Sequence, residues 1–234
     1  MDIQVLASSS RGNCYRITDG STPLLLEAGI RLKDIQQKLN FRLSEIAGCL
    51  ITHEHQDHCK AVQDIMKAGI DCYMSQGTAE AIGALGHRGH RVKITKSLEQ
   101  FRIGTWTILP FDTVHDAKEP LGFLMASGTE KLLFATDTAY LRYKFRGLTH
   151  IMVEANHQAE ILQNSVEEDL IPAAVRKRIR RSHFDLNHLK EFFKANDLSE
   201  LREVWLLHLS ENNSDEGQFK REIQEIVGKP VYVA

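Results

Sequence analysis

The sequence predicts an α/β protein in which two β-sheets pack together with helices outside them, as one domain spanning residues 1–234. Three observations lead there. Strand-like runs dominate the N-terminal half, and strands then mix with helices, an order that suits stacked sheets better than a doubly wound parallel sheet. No repeat, low-complexity tract or linker-like segment divides the chain. With 234 residues, 42% hydrophobic and 26% charged, and only 5 prolines, the composition is that of an ordinary globular protein able to bury a substantial core.

The strand-like runs fall at 2–6, 14–18, 23–27, 48–52 and 71–74, then at 92–94, 100–112, 121–127, 130–136, 150–154, 203–208 and 230–233. Each is rich in β-branched or aromatic residues, and Gly, Asp and Ser punctuate the gaps between them. Helical periodicity, with apolar residues three or four apart, marks 31–39 (Leu32, Ile35, Leu39) and 60–68 (Ala61, Ile65, Met66). Two later stripes are clearer: Leu186, Leu189, Phe192 and Phe193, and then Phe219, Ile223, Ile226 and Val227. Ser165 with Glu168 three residues on has the form of a capping box and predicts a helix from there through about 180.

A formal net charge of -2 carries no general polyanion-binding signature, so a nucleic-acid role has to rest on a local patch. No apolar run approaches the roughly 20 residues of a membrane span. The start MDIQVLASSS lacks the basic and apolar regions of a signal peptide, and the expectation is an intracellular, cytoplasmic protein. The cysteines at 14, 49, 59 and 72 contain no C-x-x-C pair and do not form a disulfide framework. Cys14, Cys49 and Cys72 read as small core residues, and Cys59, beside His58, as a bystander.

The stretch LITHEHQDH at 50–58 carries the chemistry. Side chains alternate along an extended segment, so His53 and His55 can point to one side and share an ion. Asp57 and His58 point elsewhere and can serve a second ion. Two ions need more donors than one loop supplies. Three other apolar runs answer that demand by ending in a ligand-type residue: TILPFDTVH at His115, KLLFATD at Asp137 and EVWLLH at His208. Four strands delivering donors from their C-terminal ends point to a dinuclear site.

These motifs resemble the metallo-β-lactamase superfamily, whose H-x-H-x-D-H signature, later His, bridging Asp and final His the chain matches in type, order and spacing over nearly its whole length. The resemblance implies an αββα sandwich of two mixed β-sheets flanked by helices. It implies two divalent cations, Zn²⁺ or Mn²⁺, with His53, His55 and His115 on one, Asp57, His58 and His208 on the other, and Asp137 bridging. In LLLEAG, Glu27 stands where the family usually has an Asp supporting the histidine loop. The longer carboxylate can still hydrogen-bond that loop and is given no metal role.

SSSRGNCYRI, VEANH and LLHLSENNSD resemble the YycJ-type (WalJ-type) group of the superfamily, whose members are regarded as DNA exonucleases or related phosphodiesterases. RIRRSHFDLN departs from that group's pattern at Phe184, Asp185 and Leu186, which leaves the role of this loop open. The expected reaction is hydrolysis of a phosphodiester, with nucleic acid as partner. Two ions about 3.5–4 Å apart make hydroxide available near neutral pH and stabilise charge on the attacked group. Asp57 both ligates and orients the nucleophile. The rival expectation is a small-molecule hydrolase of the same fold: a cyclic-nucleotide phosphodiesterase, or a glyoxalase-like thioesterase or lactonase.

Metals do not protonate a leaving group. His183, in a turn before the helix near 186, is the candidate for that role or for gripping a phosphate, against a capping role. His157 in VEANH is a candidate at the site's edge. The loop Ser8–Asn13, with Ser9 and Asn13 as contacts, either brings backbone N–H groups to a phosphate or simply joins two strands. Arg176, Lys177, Arg178, Arg180 and Arg181 cannot all face one way on a helix. They are either a solvated face or a phosphate track in which Arg178 and Arg181 contact the backbone. Arg142, Lys144 and Arg146 can extend that track. His87, His90, His150 and His188 read as surface or packing residues.

Overall fold

Parallel strand pairs need a crossover of a dozen or more residues, and the helical segments of this chain supply them. The computed structural model describes residues 1–85 and 89–234, so His87 lies outside the described residues. Among the described residues the strands form two mixed sheets, one of six strands and one of seven. The chain makes two compact units: Met1–Asp112 with Ala117–Glu130, and Thr113–Asp116 with Lys131–Ala234.

In the first unit, β1 (Asp2–Ala7), β2 (Cys14–Thr18), β3 (Leu24–Leu26), β4 (Gly48–Leu50), β5 (Cys72–Met74) and β6 (Val92–Ile94) lie side by side in chain order. The first two pairings are antiparallel and the rest parallel. The crossovers carry α1 (Leu32–Lys38), α2 (Gln56–Cys59), α3 (Val62–Lys67) and α4 (Gln76–Ala81). Cys14, Leu25, Cys49 and Ile51 share one buried cluster with Ile35 and Ile65, so the three strand cysteines are core residues as expected.

The run 100–112 is not one strand. It is an antiparallel hairpin of β7 (Phe101–Ile103) and β8 (Trp106–Asp112), followed by β9 (Leu121–Ser127). Gly104 turns it with φ 54°, and a Cβ there would lie 2.4 Å from the Thr22 hydroxyl, a position only glycine fills without strain. The buried Trp106 indole donates to the Thr22 carbonyl at 2.8 Å.

The second unit rests on four parallel strands: β10 (Glu130–Ala135), β11 (His150–Glu154), β12 (Glu203–Leu207) and β13 (Val231–Val233). Between β11 and β12 run α5 (Ala159–Glu167), α6 (Ala173–Ser182) and α7 (Leu186–Ala195), and α8 (Glu216–Val227) precedes β13. The predicted stripes are the buried faces of α7 and α8, with Ile226 only half-buried. The capping box at Ser165 does not form. Ser165 lies inside α5, its hydroxyl 3.0 Å from the carbonyls of both Ile161 and Asn212, to either of which it can donate. Asp169, with φ 57°, and Pro172 break the helix, and α6 restarts after the proline.

Two close approaches set the loop that follows β4. An added Cβ on Gly29 would fall 1.7 Å from the Asp57 carbonyl oxygen, and the Asn13 N–H donates to that same oxygen at 2.7 Å. Gly29→Ala must therefore displace the turn bearing Asp57, a steric insertion worth about 1–3 kcal/mol or more. Thermal melting should show Gly29→Ala lowered by several degrees. Gly217→Ala, early in α8 where only side-chain ends stand near, should hold or raise the melting temperature. Equal melting of the two variants would contradict this packing.

Candidate metal centre

In the first unit the extended backbone of β4 continues past Leu50, with the Ile51 N–H on the Tyr73 carbonyl at 2.9 Å, and α2 begins only after His55. His53 and His55 thus sit two apart on extended chain. His53 Nε2 faces His55 Nδ1 at 3.0 Å. Asp57 and His58 lie in the first turn of α2, with Asp57 Oδ2 at 3.2 Å from His58 Nε2. Donors held tetrahedrally about 2.0–2.1 Å from one ion stand about 3.3 Å apart, so both spacings suit a borderline cation. His53 and His55 belong to one set of donors that could hold an ion, and Asp57 and His58 to another.

Behind this loop sits Glu27, fully buried directly after β3. Its carboxylate accepts the Thr52 N–H at 3.3 Å and lies 3.5 Å from His58 Nδ1, the support expected of the longer acid. Burial raises the Glu27 pKa, and His58 and Thr52 oppose that rise. The spacer Glu54 accepts the Lys118 N–H at 2.7 Å. Cys59 donates its thiol to the Glu54 carbonyl at 3.0 Å, and burial pushes that thiol's pKa up to about 12, so it is an inert packing residue.

In the second unit, three parallel strands end in acids or imidazoles at one sheet edge: Asp137 beyond β10, Glu154 closing β11 and His208 beyond β12. His115 Nδ1 donates to the Ser182 carbonyl at 2.7 Å, which turns Nε2 towards Asp137 Oδ2 at 3.5 Å. A carbonyl on the far nitrogen is how a ligating imidazole is held. Burial lowers the His115 pKa and Asp137 offsets only part of that, a shift that favours the neutral ring a ligand needs. The other oxygen of Asp137 lies 3.2 Å from His208 Nδ1. Asp137 thus has an imidazole near each of its oxygens.

Glu154 joins this cluster, although no sequence expectation named it. It is fully buried, and its Oε1 contacts His183 Nδ1 at 2.6 Å and His208 Nδ1 at 3.0 Å. Its Oε2 accepts the N–H groups of Thr138 at 3.1 Å and Phe184 at 3.0 Å. Burial would raise its pKa, but His183 above all, with the other donors, holds it below the usual carboxylate range. His183 shows the converse: burial depresses its pKa, and the charge and hydrogen bond of Glu154 more than reverse this, leaving it raised. Asp137, Glu154, His183 and His208 place one ligand-type atom each within 4.8 Å of one another. The signal was available, since HIMVE is another apolar strand ending in an acid.

The candidate substrate contacts divide. Arg178 and Arg181, with Lys177, line a cavity of about 480 Å³ that includes His115 and Asp116. Arg178 Nε donates to Asp116 Oδ2 at 2.7 Å. Ser9 is half-buried, and its carbonyl closes a turn with the Gly12 N–H at 3.0 Å. Asn13 is buried, and its side-chain amide lies 3.2 Å from His58 Nε2 and 3.1 Å from the Ser9 carbonyl. His157 is also buried, 3.8 Å from Asp185, and burial lowers its pKa to about 4. Both expected substrate contacts are therefore buried, with Asn13 beside His58 and His157 beside Asp185. His150 is buried against the Thr149 hydroxyl, while His90 and His188 are exposed.

Residues 24–209 match the model of the β-lactamase superfamily domain. The chain is 26% identical to the exodeoxyribonuclease YycJ of Bacillus anthracis over 229 residues, covering 92% of this chain and 84% of that one. It is likewise 26% identical to the exodeoxyribonuclease WalJ of Streptococcus pneumoniae over 227 residues, 90% of this chain and 82% of that one. Among solved structures, the metallo-β-lactamase fold protein YhfI of Bacillus subtilis superposes with a TM-score of 0.76 at 14% identity, covering 99% of this chain and 95% of that one. The fold is thus the expected one. Among the described residues no helix is long and apolar enough to cross a membrane.

The Glu154–His183 pair has a pH signature. The raised His183 pKa contributes stability that is complete below its unfolded value, about 6.5, and is lost as pH rises through the folded value. The lowered Glu154 pKa contributes above its unfolded value, about 4.3, and is lost as pH falls through the folded one. In metal-free protein, the melting-temperature gap between wild type and Glu154→Gln should be widest near pH 5.5 and narrow towards pH 9. A gap that is flat or widens with pH would contradict the pairing.

Proposed function

The chain belongs to the β-lactamase superfamily, and on that premise we propose that it is a dinuclear metal-dependent phosphodiesterase acting on nucleic acid, as a DNA exonuclease. The two units act as a single catalytic domain. His53, His55 and His115 would hold one divalent ion and Asp57, His58 and His208 the other, with Asp137 shared between them and Zn²⁺ or Mn²⁺ as the metal. The donor chemistry fits: neutral imidazoles and carboxylates at the spacings given above are hard-to-borderline ligands that suit either ion. When bound, two such ions supply hydroxide at neutral pH and positive charge for the attacked phosphate.

The chain's own residues do the rest. Asp57 orients the nucleophile, and Asn13 and Glu27 fix the loop that carries it. Glu154 raises the His183 pKa and so favours the protonated ring, whose far nitrogen can give a proton to the departing oxygen or a hydrogen bond to the phosphate. The loop at Ser9 offers polar groups to the same substrate, and His157 supports the turn at Asp185 from within. The proposed setting is the cytoplasm.

The observation that carries the nucleic-acid reading is the cavity beside His115. Lys177, Arg178 and Arg181 line it from α6, the helix whose last residue, Ser182, also accepts the His115 N–H. Phosphate-binding cations and a candidate metal ligand are thereby fixed by one element. The relatives named as exodeoxyribonucleases support the same reading at 26% identity.

The protein loaded with Zn²⁺ or Mn²⁺ should cut end-labelled DNA, and Asp137→Ala should lose at least about a hundredfold of that rate, the scale of removing a catalytic electrostatic group. A panel of single- and double-stranded DNA, RNA, a chromogenic phosphodiester and a thioester reads the substrate class. Unchanged cutting by Asp137→Ala, or activity on the thioester alone, would overturn the proposal in favour of contamination or a glyoxalase-like hydrolase. Arg178→Ala and Arg181→Ala should each weaken DNA binding and reduce its salt slope by about one. Salt slopes equal to wild type would remove the cationic track.

A further inference from the structure

A second cavity in the same unit lies beside the loop after Asp137 and opens on none of the basic face of α6. It holds about 420 Å³ and is lined by Tyr140, Arg142, Tyr143, Lys144, Phe184 and Phe192, among others. We propose that it is a nucleobase subsite, taking the unpaired base of a single-stranded end whose phosphate chain is held at His183. This rests on the phosphodiesterase reading above.

Size and lining agree with that occupant. The volume falls within the roughly 300–1,000 Å³ of small-ligand sites and is too small to seat a protein surface. Its floor is the buried pair Phe184 and Phe192, whose ring centres are 6.5 Å apart. Its mouth carries Tyr140, 45% exposed, with the Arg142 guanidinium 5.9 Å from the ring centre, and the exposed Lys144. Flat aromatic surface beside cations is the arrangement that binds single strands, by base stacking plus contact with the backbone. The one acid in the lining, Glu191, is engaged by Lys194 at 3.0 Å.

The cavity is built. The Thr138 hydroxyl donates to the Tyr140 carbonyl at 2.8 Å, and the Phe145 N–H donates to Asn196 Oδ1 at 2.7 Å, so both ends of the 140–145 loop are fixed. Its floor joins the candidate site through the chain itself. Phe184 follows His183, its N–H sits on Glu154, and Tyr140 lies three residues past Asp137.

The test uses the Mn²⁺-loaded protein and a single-stranded oligodeoxynucleotide, against the same strand with an abasic nucleotide at the end being removed, each end being tried in turn. Wild type should lose about tenfold in kcat/KM on the abasic strand, the scale of one stacked base. Tyr140→Ala should shrink that gap to about twofold or less, mainly through KM, and Tyr140→Phe should preserve it. Cleavage without a base-dependent gap, or a gap unchanged in Tyr140→Ala, would overturn the subsite alone. Failure of wild type to cut either strand would overturn the nucleic-acid reading and the subsite with it.

Discussion

Glu154 is a carboxylate with no exposure to water, and the second unit is arranged around that constraint. A buried charge is tolerated only when hydrogen bonds and an opposite charge replace its hydration. Here the replacements come from separate elements: the Thr138 N–H beyond β10, His208 beyond β12, and His183 with the Phe184 N–H between α6 and α7. Meeting the needs of one acid therefore registers the strand ends against one another. It also places the imidazole with the raised pKa beside Asp137 and His208, where the proposed chemistry needs a proton donor.

The first unit repeats the device with Glu27, which answers to Thr52 and His58. Both acids stand at the end of a parallel strand, where open α/β sheets present their ligand-binding groups. Glu27, Asp137 and His208 all have left-handed backbone, at φ 64°, 48° and 54°. For residues other than glycine that conformation costs about 1–2 kcal/mol each. Strain of this kind persists where surrounding contacts over-determine a functional geometry, and here Thr52 holds Glu27, His115 and His208 flank Asp137, and Glu154 holds His208.

Much of this was legible in the sequence because a single rule, an apolar strand ending in a ligand-type residue, selected His53, His115, Asp137 and His208. The same rule applied to HIMVE would have selected Glu154, whose role is invisible only if one looks for ligands and not for what orients them. The helix calling for Ser165 as its cap failed because the left-handed Asp169 and Pro172 override a local cap signal. The hairpin at Gly104 was hidden inside a long β-prone run, since one glycine is a weak mark unless a neighbour such as Thr22 forbids a side chain there. Nor does sequence reveal that Asn13 and His157 are buried, since both are polar residues in loops. Their place follows from tertiary hydrogen bonds alone.

The proposed function assigns His53, His55, Asp57 and His58 to the same pair of ions as His115, Asp137 and His208. Electron paramagnetic resonance of the Mn²⁺-loaded chain, with metal content measured on the same sample, tests it most directly. Two ions per chain and the exchange-coupled spectrum of a bridged pair are expected, and Asp137→Asn should convert that spectrum to uncoupled signals. Two ions with only isolated Mn²⁺ signals in the wild type, or less than one ion per chain, would contradict it.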